Sequence, residues 1–196
     1  GSDIDGDVKA NVGGLSYIDG IYNKNTGALE KKTTISGDAD FTAHGQQLIA
    51  RDVEIDGNVD MYNDGGAVEL RNATVGGNAN LTTEGWQPVN HEKFNHYVHV
   101  SGNTSITGDL NIESAQNIHI GNYEVTNNPY STASTANYWK GNLLEGKLNV
   151  GGDIKAEVTE GGHIMTTIDT TAKNIDYTAK SRTEGTRTYG GNILSS

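Results

Sequence analysis

Residues Val53–Leu81 read VEIDGNVDMYNDGGAVELRNATVGGNANL, a stretch that nearly says the same thing twice. Ile55-Asp56-Gly57-Asn58-Val59-Asp60-Met61 is followed by Val75-Gly76-Gly77-Asn78-Ala79-Asn80-Leu81. Upstream stands Ile35-Ser36-Gly37-Asp38-Ala39-Asp40-Phe41. The step is twenty residues both times. Odd positions are apolar or glycine and even positions are polar. Side chains alternate faces along a strand, so each copy reads as a half-buried strand. In the same frame, Leu48 and Ala50 precede Val68 and Leu70 by one period, so each period carries at least two strands.

The pattern recurs with altered spacing at Ile4–Ala10, Val100–Ile106 and Val150–Ala156. A propeller blade needs roughly 40 residues or more per repeat. A leucine-rich repeat would show its Leu and Asn ladder, which is missing. The expected fold is all-β: a right-handed parallel β-helix of about 20 residues per coil, whose coils stack at about 4.8 Å. Roughly seven coils are expected on that spacing. Ile35, Ile55 and Val75 should form one inward column, and Phe41, Met61 and Leu81 another. Gly37, Gly57 and Gly77 should form a column where backbones bend or pack closely. Asp38, Asn58 and Asn78 should form an Asn/Asp ladder. Asp40 should stack over Asp60, and bound calcium there is the competing reading.

Composition agrees with a β fold rich in turns. The chain has 26 glycines, two prolines and no cysteine among its 196 residues. Without cysteine, neither a disulfide nor a thiolate metal site can hold it together. The net charge of −11, from 25 acidic against 14 basic residues, argues against a nucleic-acid or anionic-membrane partner. No apolar run approaches the roughly 18 residues of a spanning helix. The opening Gly1-Ser2 reads as a cloning scar, and the whole of residues 1–196 as one segment of a longer rod.

Three stretches break the period, near residues 15–32, 84–97 and 123–143. The last two hold both tryptophans and both prolines, and seven of the thirteen aromatic residues. Aromatic faces stack on sugars and anchor protein interfaces. The candidate ligand-binding residues are therefore Trp86, Phe94, Tyr97, Tyr130, Tyr138 and Trp139. The competing reading is that they only pin the loops to the rod. His91, His96 and His99 invite a zinc reading, but the spacing of His96 and His99 sends them to opposite faces of an extended segment. They are expected to be solvent-facing loop residues, with no metal and no cofactor. Asn72, Asn80 and Asn103 head N-x-Ser/Thr sequons of the kind expected by chance in such a chain. Outward carboxylates (Asp40, Asp60, Glu54, Glu69) lack a recurring basic partner, and Arg51 stacks on Arg71. The chain is not expected to be an enzyme.

The stretches VHVSGNTSITGDLNIESAQNIHIGN (Val98–Asn122), LNVGGDIKAEVTEGGHI (Leu148–Ile164) and AKNIDYTAKSRTEGTRTYGGNI (Ala172–Ile193) resemble the repeats of filamentous-haemagglutinin-like adhesins and contact-dependent inhibition effectors of two-partner secretion. The resemblance covers most of the chain outside the insertions. Their Asn-Pro-Asn-Leu type export motif is absent, so the likeness is to shaft or receptor-binding region. It implies a secreted or bacterial cell-surface protein with a role in adhesion and virulence. The implied partners are a host or bacterial surface receptor or glycan, and an outer-membrane transporter for the full-length protein. The alternatives are a structural spacer of a giant exoprotein and a polysaccharide-degrading β-helix enzyme.

Overall fold

The structure, a computed structural model, describes residues 1–85, 97–121 and 146–195. These residues form strands and no helix. Three seven-stranded sheets carry the architecture, and within each sheet every pairing is parallel. Short strands rich in β-branched residues build the first sheet, among them Thr33–Ile35, Val53–Ile55 and Thr74–Val75. The second contains Val8–Val12, Ala39–Ala43, Val59–Asn63, Ala79–Thr83, Leu110–Ser114 and Ile154–Val158. The third contains Ser16–Asp19, Gln47–Arg51, Ala67–Arg71, Tyr97–Ser101, Asn117–Ile120 and His163–Thr166. The chain visits first, second and third sheet in that order, again and again. One such passage is called a rung below.

The expected columns are present. Ile55 pairs in register with Ile35 on one side and Val75 on the other. Met61 likewise sits between Phe41 and Leu81. All six are at most 1% exposed and belong to one apolar cluster fed by all three sheets. Burying such side chains is worth about 1.5–3 kcal/mol each, so the columns dominate the favourable side of folding. Three polar residues also point inward where the second sheet ends, and each is satisfied. Asn63 donates to the Ala67 carbonyl at 2.9 Å, and the Thr83 and Ser114 hydroxyls bond each other at 3.0 Å.

Each period holds three strands, where at least two were expected. The seven-residue unit around Gly37, read above as one strand, is two: Thr33–Ile35 and Ala39–Ala43, joined by a corner at Ser36–Asp38. Alternation runs straight through the corner, which is why sequence alone merged them. Glycine is needed there for proximity, not for a left-handed backbone. The Gly57 amide donates to the Gly37 carbonyl at 3.1 Å, and a Cβ on Gly57 would stand 2.7 Å from that oxygen. Beside the glycines runs the Asn/Asp ladder. The Asn58 amide donates to Asp38 Oδ1 at 2.7 Å, and the Asn78 amide to Asn58 Oδ1 at 2.9 Å. Asp109 and Asp153 continue the same pattern at 2.9 and 2.8 Å.

The corner from third to first sheet works differently. Asp52 and Asn72 have φ of 53° and 48°, and Gly102 in the following rung has 66°. Asn and Asp tolerate this left-handed region better than other residues with a Cβ. The stack is tied by an Asn72 Nδ2 to Asp52 Oδ1 bond of 3.2 Å.

The break expected at residues 15–32 is shorter than that. Ser16–Asp19 is an ordinary third-sheet strand paired with Gln47–Arg51. Only the antiparallel pair Ile21–Tyr22 and Leu29–Lys31 is inserted. A second antiparallel pair, Arg182–Glu184 with Arg187–Tyr189, interrupts a stretch read above as plain repeat. The other two expected breaks, near 84–97 and 123–143, lie mostly outside the described residues.

The glycine corner gives a direct test. Gly57→Val should destabilise the protein by about 1–3 kcal/mol, the usual cost of forcing volume into a filled site. Gly13→Ala, where a Cβ would meet nothing within 4 Å, should stay within about 0.5 kcal/mol. Urea midpoints of the two variants at unchanged slope provide the measurement. Equal effects would mean that rung spacing does not dictate glycine.

Candidate functional site

Of the six aromatic residues singled out from the sequence, only Tyr97 lies within the described residues; Trp86, Phe94, Tyr130, Tyr138 and Trp139 lie outside them. Tyr97 is not a loop residue. It opens the third-sheet strand Tyr97–Ser101, in register with Asn117. It sits at one edge of a cluster on the outer face of that sheet.

Alternation builds the cluster. Val98 and Val100 point into the apolar core, so His99 between them points outward. In register with His99 stand Glu69 on one side and His119 on the other, and beyond them Ile49 and Met165. Outward positions on the second sheet are half-exposed or exposed, yet Ile49, Glu69 and His99 are only 3%, 5% and 3% exposed. The third sheet is thus covered on both faces over several rungs. His99, expected to be a solvent-facing loop residue, is instead a buried strand residue.

Hydrogen bonds join Gln47, Glu69 and Tyr97 in this layer and fasten His99. The Tyr97 hydroxyl donates to Glu69 Oε1 at 3.0 Å, and Gln47 Nε2 donates to the Tyr97 oxygen at 3.5 Å. His99 Nε2 lies 2.6 Å from the Gly121 carbonyl, so that nitrogen carries the hydrogen. The Tyr97 ring stacks on His119 with centroids 6.2 Å apart and planes 22° apart. His99 meets His119 edge-on at 6.4 Å. His163 comes next, its ring centroid 5.2 Å from that of His119 and the two Nε2 atoms 3.1 Å apart.

Burial sets the charge state of these groups. Loss of water pushes Glu69 up to about 7, against the lowering effect of the Tyr97 hydrogen bond and of Arg71 and Arg51. It pushes His99 down to about 4. It lowers His119 too, helped by His99 and His163, and it lowers His163. At neutral pH these imidazoles are uncharged.

A second polar cluster fastens the inserted hairpin at the third-to-first corner. The Arg51 guanidinium pairs with Asp19, its Nε at 3.1 Å from Oδ1, and lies 5.1 Å over the Tyr22 ring. The Tyr22 hydroxyl sits between the Asp19 and Asp52 carboxylates, 2.8 Å from Asp19 Oδ1. Burial and those two carboxylates raise its pKa.

The acidic row on the second sheet is explained without a cation. Asp40 does stack on Asp60, but Lys9 Nζ reaches Asp40 at 2.7 Å and Asn80 Nδ2 donates to Asp60 at 2.7 Å. Each carboxylate has its own donor, which offsets the repulsion between neighbours. Among the described residues, no group of three or more His, Asp or Glu is poised around a common metal position.

No family model, no curated protein and no solved structure matches this chain.

The chemistry of the cluster was hard to see in advance. The available signal was the apolar residue at an outward position, Ile49 in one rung and Met165 in another, which marks a face that is not solvated. Once that face is identified, Glu69 and His99 in the same column become buried titratable groups rather than surface charges.

A buried carboxyl with a raised pKa makes stability depend on pH. The neutral form is favoured by folding, so Glu69's contribution is fully present below the unfolded value near 4.5 and is lost as pH rises through about 7. Glu69→Gln cannot ionise and keeps the Oε1 acceptor for Tyr97. Its stability relative to the unaltered protein should therefore rise between pH 4.5 and pH 8, by on the order of 1–3 kcal/mol. Paired urea titrations at the two pH values cancel the contribution of the histidines. A difference that does not change with pH would mean that Glu69 is solvated.

Proposed function

We propose that this chain is a segment of a right-handed parallel β-helix, about twenty residues per coil. We infer that it serves as the recognition region of a secreted or cell-surface bacterial adhesin of the filamentous-haemagglutinin-like type. The helical reading is supported by the fixed rotation through three sheets, repeated in seven layers. It is supported again by pairing between residues one period apart, as in Ile35, Ile55 and Val75.

One observation carries the functional reading: the departures from the period all border the third sheet. Residues 86–96 and the antiparallel pair Arg182–Tyr189 fall between second- and third-sheet strands. Residues 122–145 and the hairpin Ile21–Lys31 fall between third- and first-sheet strands. The corner between first and second sheet is closed in rung after rung by the glycine and Asn/Asp ladders. The strands between which extra sequence falls thus always include one of the third sheet. A surface that must present contacts in one direction is built this way. Recognition without bond chemistry then falls to Trp86, Phe94, Tyr130, Tyr138 and Trp139, with Tyr97 anchoring the root of one insertion. A host-cell, bacterial or glycan partner suits such aromatic side chains. The alternative with support is a spacer, since unbroken ladders at one corner are what a rigid strut needs.

Replacing residues 86–96 by a short Gly-Ser linker separates the two. The unaltered chain is expected to bind a glycan array or whole cells, and the shortened one to lose that binding while keeping its β-type circular dichroism. Binding that survives the deletion would overturn the assignment to that insertion. Absence of binding by either chain would favour the spacer.

A further inference from the structure

Strands Asn117–Ile120 and His163–Thr166 are neighbours in the third sheet, in register Asn117 to His163 and His119 to Met165. His119 and His163 are therefore diagonal rather than directly opposite. Their Nε2 atoms nonetheless turn toward each other, 3.1 Å apart, with ring planes 26° apart. The two come from rungs 44 residues apart in sequence, and no motif spacing announces them.

We propose that His119 and His163 form a two-imidazole clamp for a divalent transition-metal ion of the zinc and copper class, with water completing the coordination. The argument is geometric. With metal–nitrogen bonds of about 2.05 Å, nitrogens 3.1 Å apart subtend about 98° at the metal. That angle lies between the square-planar and tetrahedral values, within reach of Cu²⁺, Ni²⁺ and Zn²⁺, all of which accept imidazole. Both side chains are only partly covered, so water can occupy the remaining positions.

The surroundings hold the rings in place. Tyr97 stacks on His119 and His99 abuts it edge-on, which limits rotation of that ring. His99 does not compete as a ligand through Nε2, because that nitrogen is committed to the Gly121 carbonyl. In the metal-free protein the contact is made by one neutral ring donating its Nε2 hydrogen to the other. Binding a metal needs that hydrogen to move to Nδ1 of the same ring, a change of tautomer with no net loss of a proton. The ion would then tie two successive rungs together across a sheet that the backbone already pairs. The clamp does not depend on what the insertions recognise.

Zinc binding to the full chain, followed by calorimetry with zinc chloride, tests the clamp. One equivalent is expected. His163→Asn should weaken binding by at least roughly 10-fold, the lower end of what losing even an outer-shell partner costs. His119→Asn with His163→Asn should abolish it, and His44→Asn, whose ring pairs with Asp64 at 2.8 Å, should not change it. A second measurement needs no variant: Cu²⁺ added to isotope-labelled protein should first broaden the amide resonances of residues 117–121 and 162–166. No uptake of zinc, uptake that survives the double substitution in a folded protein, or broadening that begins elsewhere would each overturn the proposal.

Discussion

Peptide groups of one rung bond to peptide groups of the next, and that vertical pairing sets the terms for every side chain in the protein. Rungs joined by parallel ladders sit about 4.8 Å apart, whatever residues they carry. A column must therefore be filled by side chains that tolerate a close copy of themselves above and below. Apolar residues do so at a profit, as Ile35, Ile55 and Val75 show. Amide and carboxylate side chains do so when each accepts a hydrogen bond from the next rung, as along Asp38, Asn58 and Asn78. Bare carboxylates do not, and the Asp40–Asp60 contact is tolerated because Lys9 and Asn80 flank it. Where the backbone itself comes too near, only glycine is left.

That same constraint explains what the amino-acid sequence disclosed. A fixed vertical spacing makes residues one period apart resemble each other, so the inward columns and the Asn/Asp ladder were readable from Val53–Leu81 alone. The glycine column at Gly57 was readable as a bend or close approach, but not as a break between two strands, because the side-chain alternation runs through it unbroken. Ser16–Asp19 was mistaken for insertion because the hairpin after it places Asp19 and Arg51 32 residues apart, where the period calls for twenty. Arg182–Tyr189 escaped notice for the opposite reason: its alternating Thr and Arg residues imitate the repeat. Periodicity reports which residues stack, and it is silent on what covers the outward face. Glu69 and His99 were consequently read as surface groups, although burial is what gives them their chemistry.

The three sheets are not equivalent. The second alternates buried and solvated residues in the manner of a sheet with one wet face. The third is buried on both faces over Gln47–Arg51, Ala67–Arg71 and Tyr97–Ser101. A sheet covered on both sides is usually filled with aliphatic residues. This one instead accepts a carboxyl and imidazoles, each of which loses hydration. The hydrogen bonds from Tyr97 to Glu69 and from His99 to the Gly121 carbonyl offset part of that loss. Aliphatic residues in place of Glu69 and His99 would pack there without that loss of hydration.

The corners complete the asymmetry. At the first-to-second corner the glycine and Asn/Asp ladders run from rung to rung, and no segment is inserted there among the described residues. The third-to-first corner turns through left-handed residues at Asp52, Asn72, Gly102 and Gly121. The hairpin Ile21–Lys31 leaves the same edge after Gly20, which is not left-handed, and its Tyr22 is held back against Asp19, Asp52 and Arg51. The departures from the period thus adjoin the third sheet on either side, the one sheet whose outer face holds buried, titratable side chains.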